Sequence, residues 1–148
     1  MKNIRLFLLF VLVSILVNSC IAQKTEFSKT ATLKETYHDY FSIGVAVGPK
    51  NLVGDEAVLI KKQFNSITAE NAMKMESLQP KEGKFYWKDA DSIVNFALKN
   101  NIKIRGHNLC WHEQVPNWFF KGKDGKEATK DVLLQRLKTH INTVVKRY

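Results

Sequence analysis

The sequence predicts an α/β fold built on a parallel sheet. Three observations carry this: short apolar runs at 41–48, 66–71 and 103–110, segments of helical periodicity between and after them, and a regular alternation of the two kinds. Parallel neighbours cannot be joined by a tight turn, so each strand needs a crossover, usually a helix. The 148 residues are 45% hydrophobic and 25% charged, which excludes a disordered, collagen-like or coiled-coil chain and makes one compact domain the ceiling. The formal charge is +9, but the basic residues are scattered and never run longer than a pair, so they read as a solvated surface and no nucleic-acid partner is expected.

A polar lead-in occupies 20–40, with a short helix expected at 30–40. The first strand, 41–48 (FSIGVAVG), is apolar and ends on Gly48-Pro49. A helix should begin at Asp55 and carry Ala57, Val58 and Ile60 towards Phe64. The second strand is 66–71 (SITAEN), followed by a polar loop containing Pro80 and Gly83. In 88–100 the residues Ala90, Ile93, Val94, Ala97 and Leu98 fall at helical spacing, and Asp89 can cap the start. The third strand is 103–110 (KIRGHNLC). The last segment, 129–148, places Leu133, Leu137, Ile141, Val144 and Tyr148 on one stripe of a long helix.

Residues 1–19 read as a leader, not as part of the fold. Lys2 and Arg5 precede an apolar stretch at 6–17 interrupted only by Ser14, the layout of a signal-peptide core. That stretch is too short to span a bilayer, which takes roughly 20 apolar residues. It closes on Val17-Asn18-Ser19-Cys20, which resembles the lipobox of bacterial lipoproteins, where the cysteine is lipidated and becomes the mature N-terminus. Ordinary cleavage after Ala22 is the competing reading. Either way the chain is expected to be exported, with a membrane reached only through a lipid on Cys20. Cys110 is then the remaining thiol; without Cys or His partners at ligand spacing it gives no zinc signature, and no metal or cofactor is expected.

In parallel α/β folds chemistry gathers at the carboxyl ends of strands. There the sequence puts Glu70 and Asn71, with Lys74 just beyond, and His107, Trp111, His112 and Gln114 at or after the third strand. On an extended segment His107, Leu109 and Trp111 would share one face. A set of acid, amide, amine, imidazole and indole groups suits a carbohydrate, whose hydroxyls both donate and accept and whose C–H faces pack on flat aromatics. Each residue also has a plainer reading. Glu70 could pair with a helix cation, Asn71 cap a turn and Lys74 sit on the surface; His107 could be a satisfied core histidine, and Trp111 or Trp118 could fill apolar space. Only their joint placement favours a site.

The runs Thr68-Ala69-Glu70-Asn71-Ala72-Met73-Lys74, Leu78-Gln79-Pro80 with Gly83 and Phe85, Ala90-Asp91, and Arg105-Gly106-His107-Asn108-Leu109-Cys110-Trp111-His112-Glu113-Gln114 with Pro116 and Trp118 resemble glycoside hydrolase family 10. Departures from the commoner pattern are Met75, where tryptophan is frequent, Asn108, often threonine, and Cys110, often valine. The resemblance implies an endo-1,4-beta-xylanase built as a (β/α)8 barrel, of which 41–148 would supply the first three βα units, a partial barrel. It implies xylan or xylo-oligosaccharide as the partner. It assigns Glu70, Asn71 and Lys74 to hydroxyls on the non-reducing side of the cleavage point, His107 and Trp111 to the subsite beside the scissile bond, and Gln114 nearby. Such enzymes hydrolyse with retention, using an acid/base and a nucleophile about 5 to 5.5 Å apart. Both are expected beyond Tyr148, so no catalytic residue lies in this chain, which is expected to be inactive alone. Glu70 and Glu113, at adjacent strand ends, are not that pair. The alternative is an exported lipoprotein that binds glycans without cleaving them.

The two leader readings separate on labelling. Lipidation predicts radiolabelled palmitate in the exported chain and its loss in Cys20→Ser; cleavage after Ala22 predicts no label in either.

Overall fold

The computed structural model describes residues 31–148. The leader with Cys20, and most of the lead-in, lie outside the described residues.

Helix α1 (Leu33–Thr36) is one turn closed by a capping box: the Thr32 hydroxyl accepts from the Glu35 N–H, and the Glu35 carboxylate accepts from the Thr32 N–H. Strand β1 (Gly44–Val47) leads through a 3-10 turn (Pro49–Leu52) into α2 (Gly54–Gln63). Gly54 opens α2 at φ +61°, a conformation that a side chain would strain. Strand β2 (Ser66–Ala69) follows, then one-turn α3 (Met75–Leu78), then α4 (Lys88–Lys99). Strand β3 (Lys103–Arg105), a second 3-10 turn (Asn117–Phe120) and the long α5 (Lys130–Arg147) complete the order.

The three strands pair in parallel in the order β1-β2-β3, with Gly44 opposite Ser66 and Ser66 opposite Lys103. Pleating sends Val45, Val47, Ile67, Ala69 and Ile104 towards the helices, where they join Ile60, Leu78, Ala90, Ile93, Ala97, Ile102 and Val144 in the core. The other face carries Gly44, Ala46, Ser66, Thr68 and Arg105, which line an open cavity of about 550 Å³. One face is therefore a packed core and the other an open concavity of mixed character, reached also by Val45 and Ala69 at its edge.

Boundaries depart from the sequence reading in instructive places. The third strand stops at Arg105, not Cys110: its pairing with β2 ends with Arg105 opposite Thr68, and the chain then leaves the ladder as a loop. The second strand ends at Ala69, which puts Glu70 and Asn71 just past it. Asp89 is not the cap of α4. That position is Trp87, without a side-chain cap, and Asp89 and Asp91 instead sit in the first turn, where negative charge suits the helix dipole. Helix α5 matches its apolar stripe, and Thr129 caps it by accepting from the Val132 N–H.

Helix α5 is held down at both ends by arginine. Arg136 makes a two-pronged contact with the Glu82 carboxylate and donates to the carbonyls of Phe119 and Lys121. Arg147 grips Asp91 of α4 through two nitrogens, at 2.9 and 2.6 Å, and lies over the Trp87 ring. Tyr148 donates its hydroxyl to the same carboxylate. The Arg147 hydrogen bond holds the Asp91 carboxyl below its ordinary value, whereas burial and the neighbouring Asp91 push the Tyr148 phenol up to about 12. Because the shift at Asp91 is downward, its contribution is present above the ordinary carboxylate value and fades as pH falls through the folded one.

Two measurements check this architecture. Ile67→Ala empties the centre of the sheet and is expected to cost about 2–5 kcal/mol by urea unfolding. Asp91→Asn is expected to flatten the loss of stability on acidification below about pH 4, with little change in the slope at neutral pH.

Candidate functional site

The segment after β2 is shaped by its backbone. The Glu70 N–H donates to the Val47 carbonyl, extending the ladder by one bond, and the Lys74 N–H then donates to the Asn71 carbonyl in a tight turn. Lys74 is the N-cap of α3, and its own carbonyl accepts from Ser77 and Leu78. Its side chain takes no part in the cap.

That side chain is the most unusual group of the molecule, a lysine only 9% exposed. Its ammonium donates to Asn71 Oδ1 at 2.9 Å and lies over the Trp111 ring, 4.9 Å from the centroid. The cation faces the indole's negative π cloud, an attraction of about 0.5–2 kcal/mol. An ammonium has three protons; among the described residues Asn71 takes one of Lys74's. The two amide protons of Asn71 likewise have no partner there, so amine, amide and aromatic plane form one corner with donors to spare. Buried cations are retained only where something compensates them, and here the compensation is partial.

Glu70 and His107 meet on the neighbouring concavity. Both line the cavity on the polar face of the sheet, next to Thr68 and Arg105. Glu70 is exposed and His107 half-buried. Residues 107–111 are not a strand, and the shared-face expectation fails at Trp111: His107 and Leu109 both line an apolar groove of about 430 Å³ between α4, β3 and α5, with Val94, Leu98, Val144 and Val145, and Trp111 does not. Trp111 is brought to Lys74 by the loop.

Gln114 is positioned through its backbone. It stands at φ +53°, and its carbonyl accepts from the Glu76 N–H at 3.0 Å, tying the loop after β3 to α3, while its side chain is exposed. Glu113 faces His112 at 3.6 Å in a solvent-exposed pair. Cys110 is a free, exposed thiol whose carbonyl accepts from the Asn108 side chain. Among the described residues no group of three His, Cys, Asp or Glu is placed to hold a metal.

Residues that the sequence reading had not connected fix this site from behind. The Trp118 indole donates to the Gln79 carbonyl at 3.0 Å, and Gln79 Oε1 lies 2.9 Å from Nδ1 of the fully buried His140. Trp118 and Gln79 belong to the quoted motifs. His140 carried a signal of its own, a histidine beside Ile141 on the apolar stripe of α5.

Parallel βα units with polar side chains gathered beyond the carboxyl ends of β2 and β3 define an α/β protein with a strand-end site. The chain belongs to glycoside hydrolase family 10, whose sequence model, "Glycosyl hydrolase family 10", it matches over residues 32–148. Domains of that family are (β/α)8 barrels, and the three parallel strands with their helices are part of one. The chain is 49% identical to endo-1,4-beta-xylanase A of Halalkalibacterium halodurans, an alignment covering 81% of this chain and 33% of that protein. Among solved structures, xylanase B from Clostridium stercorarium superposes with a TM-score of 0.76 at 48% identity, over 79% of this chain and 38% of that one. A mutant in complex with xylotriose superposes equally well, TM-score 0.76 at 44% identity, over 79% of this chain and 35% of that one. The chain spans about a third or less of the length of the curated relatives it matches.

Proposed function

We propose that these residues form the sugar-binding wall of an endo-1,4-beta-xylanase that cleaves xylan with retention, and that neither carboxyl group of that reaction is among them. The observation that carries this reading is the Lys74 corner: a nearly buried ammonium anchored by Asn71, lying on the Trp111 ring and left with donors to spare. A sugar ring offers what the corner lacks, hydroxyl oxygens for the ammonium and amide protons and C–H groups for the indole. In this reading Glu70, Asn71 and Lys74 hold hydroxyls on the non-reducing side, while His107 and Trp111 stand next to the scissile bond with Gln114 nearby. The leader at 1–19, with Cys20 as a lipid anchor, belongs to the same proposal and sets the site outside the cytoplasm.

A retaining mechanism needs a protonated acid and a nucleophilic carboxylate about 5 to 5.5 Å apart across the glycosidic bond. Glu113 is turned to His112 in solvent, and Glu70 stands among hydroxyl-bearing and cationic neighbours, which suits holding a hydroxyl better than attacking a sugar carbon. The pair would come from strand ends farther round the barrel.

The purified 148-residue chain is expected to bind xylohexaose without releasing reducing sugar from xylan. Lys74→Met retains the apolar stem and should weaken that binding about tenfold or more, since hydrogen bonds to a charged group contribute about 1.5–3 kcal/mol. In a barrel completed with five further βα units, xylan hydrolysis should appear and should drop severely in Lys74→Ala and His107→Ala. Turnover by the chain alone would overturn the assignment of the carboxyl groups, and unaltered binding and hydrolysis in these variants would overturn that of the site.

A further inference from the structure

His140 is the one fully buried imidazole among the described residues, at 0% exposure, on the face of α5 that packs against the turn after α3. Its ring stacks on Phe85, with centroids 5.9 Å apart. Its Nδ1 lies 2.9 Å from Gln79 Oε1, a carbonyl-type acceptor, which fixes the proton on Nδ1. Its Nε2 is buried and, among the described residues, has no hydrogen-bond partner. The neutral form with Nδ1 protonated thus keeps the bond to Gln79 and leaves an unpartnered lone pair on Nε2, where a second proton would place an N–H with no acceptor.

Gln79, itself 3% exposed, is a junction. Its N–H donates to the Met75 carbonyl and closes α3, the turn that begins at Lys74; its carbonyl accepts the Trp118 indole; its side chain is held by His140. Glu76 on the same turn donates to the Gln114 carbonyl, which fixes the loop that carries Trp111. One side-chain contact from α5 therefore reaches both partners of the Lys74–Trp111 corner. We propose that His140, acting through Gln79, is the positioning residue for this corner, and that protonation of its Nε2 releases it. The proposal rests on the sugar-binding reading only for its consequence, a loss of binding in acid.

The charge balance supports release. Protonation leaves the Nδ1 bond to Gln79 in place but adds a buried N–H with no acceptor, and the groups touching the ring, Gln79 and Phe85, are uncharged. The charged groups that flank it are already committed: Arg136, one turn earlier on α5, is paired with Glu82, and Arg147, near the end of α5, is paired with Asp91 of α4. Neither carboxylate is directed at the imidazole. Desolvation accordingly holds the His140 pKa below the ordinary histidine value. With the folded value lowered, the unfolded or undocked state takes up the proton first, so docking weakens as pH falls below the ordinary value and is intact above it.

The test reads the corner directly. In the 148-residue chain the ε-methylene protons of Lys74 should be ring-current shifted by Trp111, and this NMR signal can be followed from about pH 7.5 to about pH 5 together with the histidine ring protons. The expected result is that the Lys74 shift falls by at least half as the His140 resonance titrates. His140→Gln, which keeps an amide donor and cannot titrate there, should hold the shift constant across the range, whereas Gln79→Met should have lost it already at neutral pH with the far-UV spectrum unchanged. The proposal is overturned if His140→Gln follows the wild-type curve, which would assign the change to His107 or His112, or if Gln79→Met retains the full shift. Should His140→Gln not fold, Gln79→Met and the wild-type titration still decide it, a Lys74 shift that does not follow the His140 resonance being the refuting result. Xylohexaose titrated alongside separates the two readings: a shift that tracks His140 in a chain that binds no oligosaccharide at any pH supports the positioning role and removes the sugar-binding one.

Discussion

Everything in this molecule follows from the parallel pairing of β1, β2 and β3. Parallel neighbours run in the same direction, so all three carboxyl ends emerge on one side, and each return must cross the other face of the sheet as a helix. That single constraint separates the chain into a side that packs and a rim that is free to carry polar groups. Ile67 and Ala69, with no exposed surface, are the price of Glu70 and Asn71: the core residues immobilise the strand whose next two positions reach the site.

The rim is built by backbone as much as by side chains. Lys74 caps α3 with its carbonyl, Gln114 holds Glu76 with its carbonyl, and Gln79 receives Trp118 on its carbonyl. Main-chain bonds of this kind fix where a residue stands without consuming its functional group. They leave the amine of Lys74 free to meet the amide oxygen of Asn71 and the face of the Trp111 indole, which together offset part of the cost of its burial.

Much of this was legible in the residues. Periodicity located α2, α4 and α5, and apolar runs located all three strands, because burying one stripe or one face leaves a pattern that a single sequence displays. Strand ends were read too late: apolar character continues through Leu109 and Cys110, whereas pairing ends with Arg105 opposite Thr68, a tertiary fact. One-turn α3 and the two 3-10 turns are too short to show a period. For the site, residue types and strand-end positions brought out Glu70, Asn71, Lys74, His107 and Trp111. The expectation of a common face for His107, Leu109 and Trp111 failed at Trp111 because a loop, not a strand, carries all three. The His140–Gln79 contact joins residues far apart in sequence and could be seen only once α5 was docked.

The division of labour at Lys74 also bears on how such a site changes over generations. Its main chain builds the turn and its side chain makes no capping bond, so the folding role of this position is nearly blind to the residue that occupies it. Substitutions of the side chain at this position can therefore accumulate while the scaffold beneath is inherited intact. At Gln79 the side chain alone meets the long helix, through His140, while its main chain closes the turn and receives the indole, so drift there would loosen the helix's hold on that junction first.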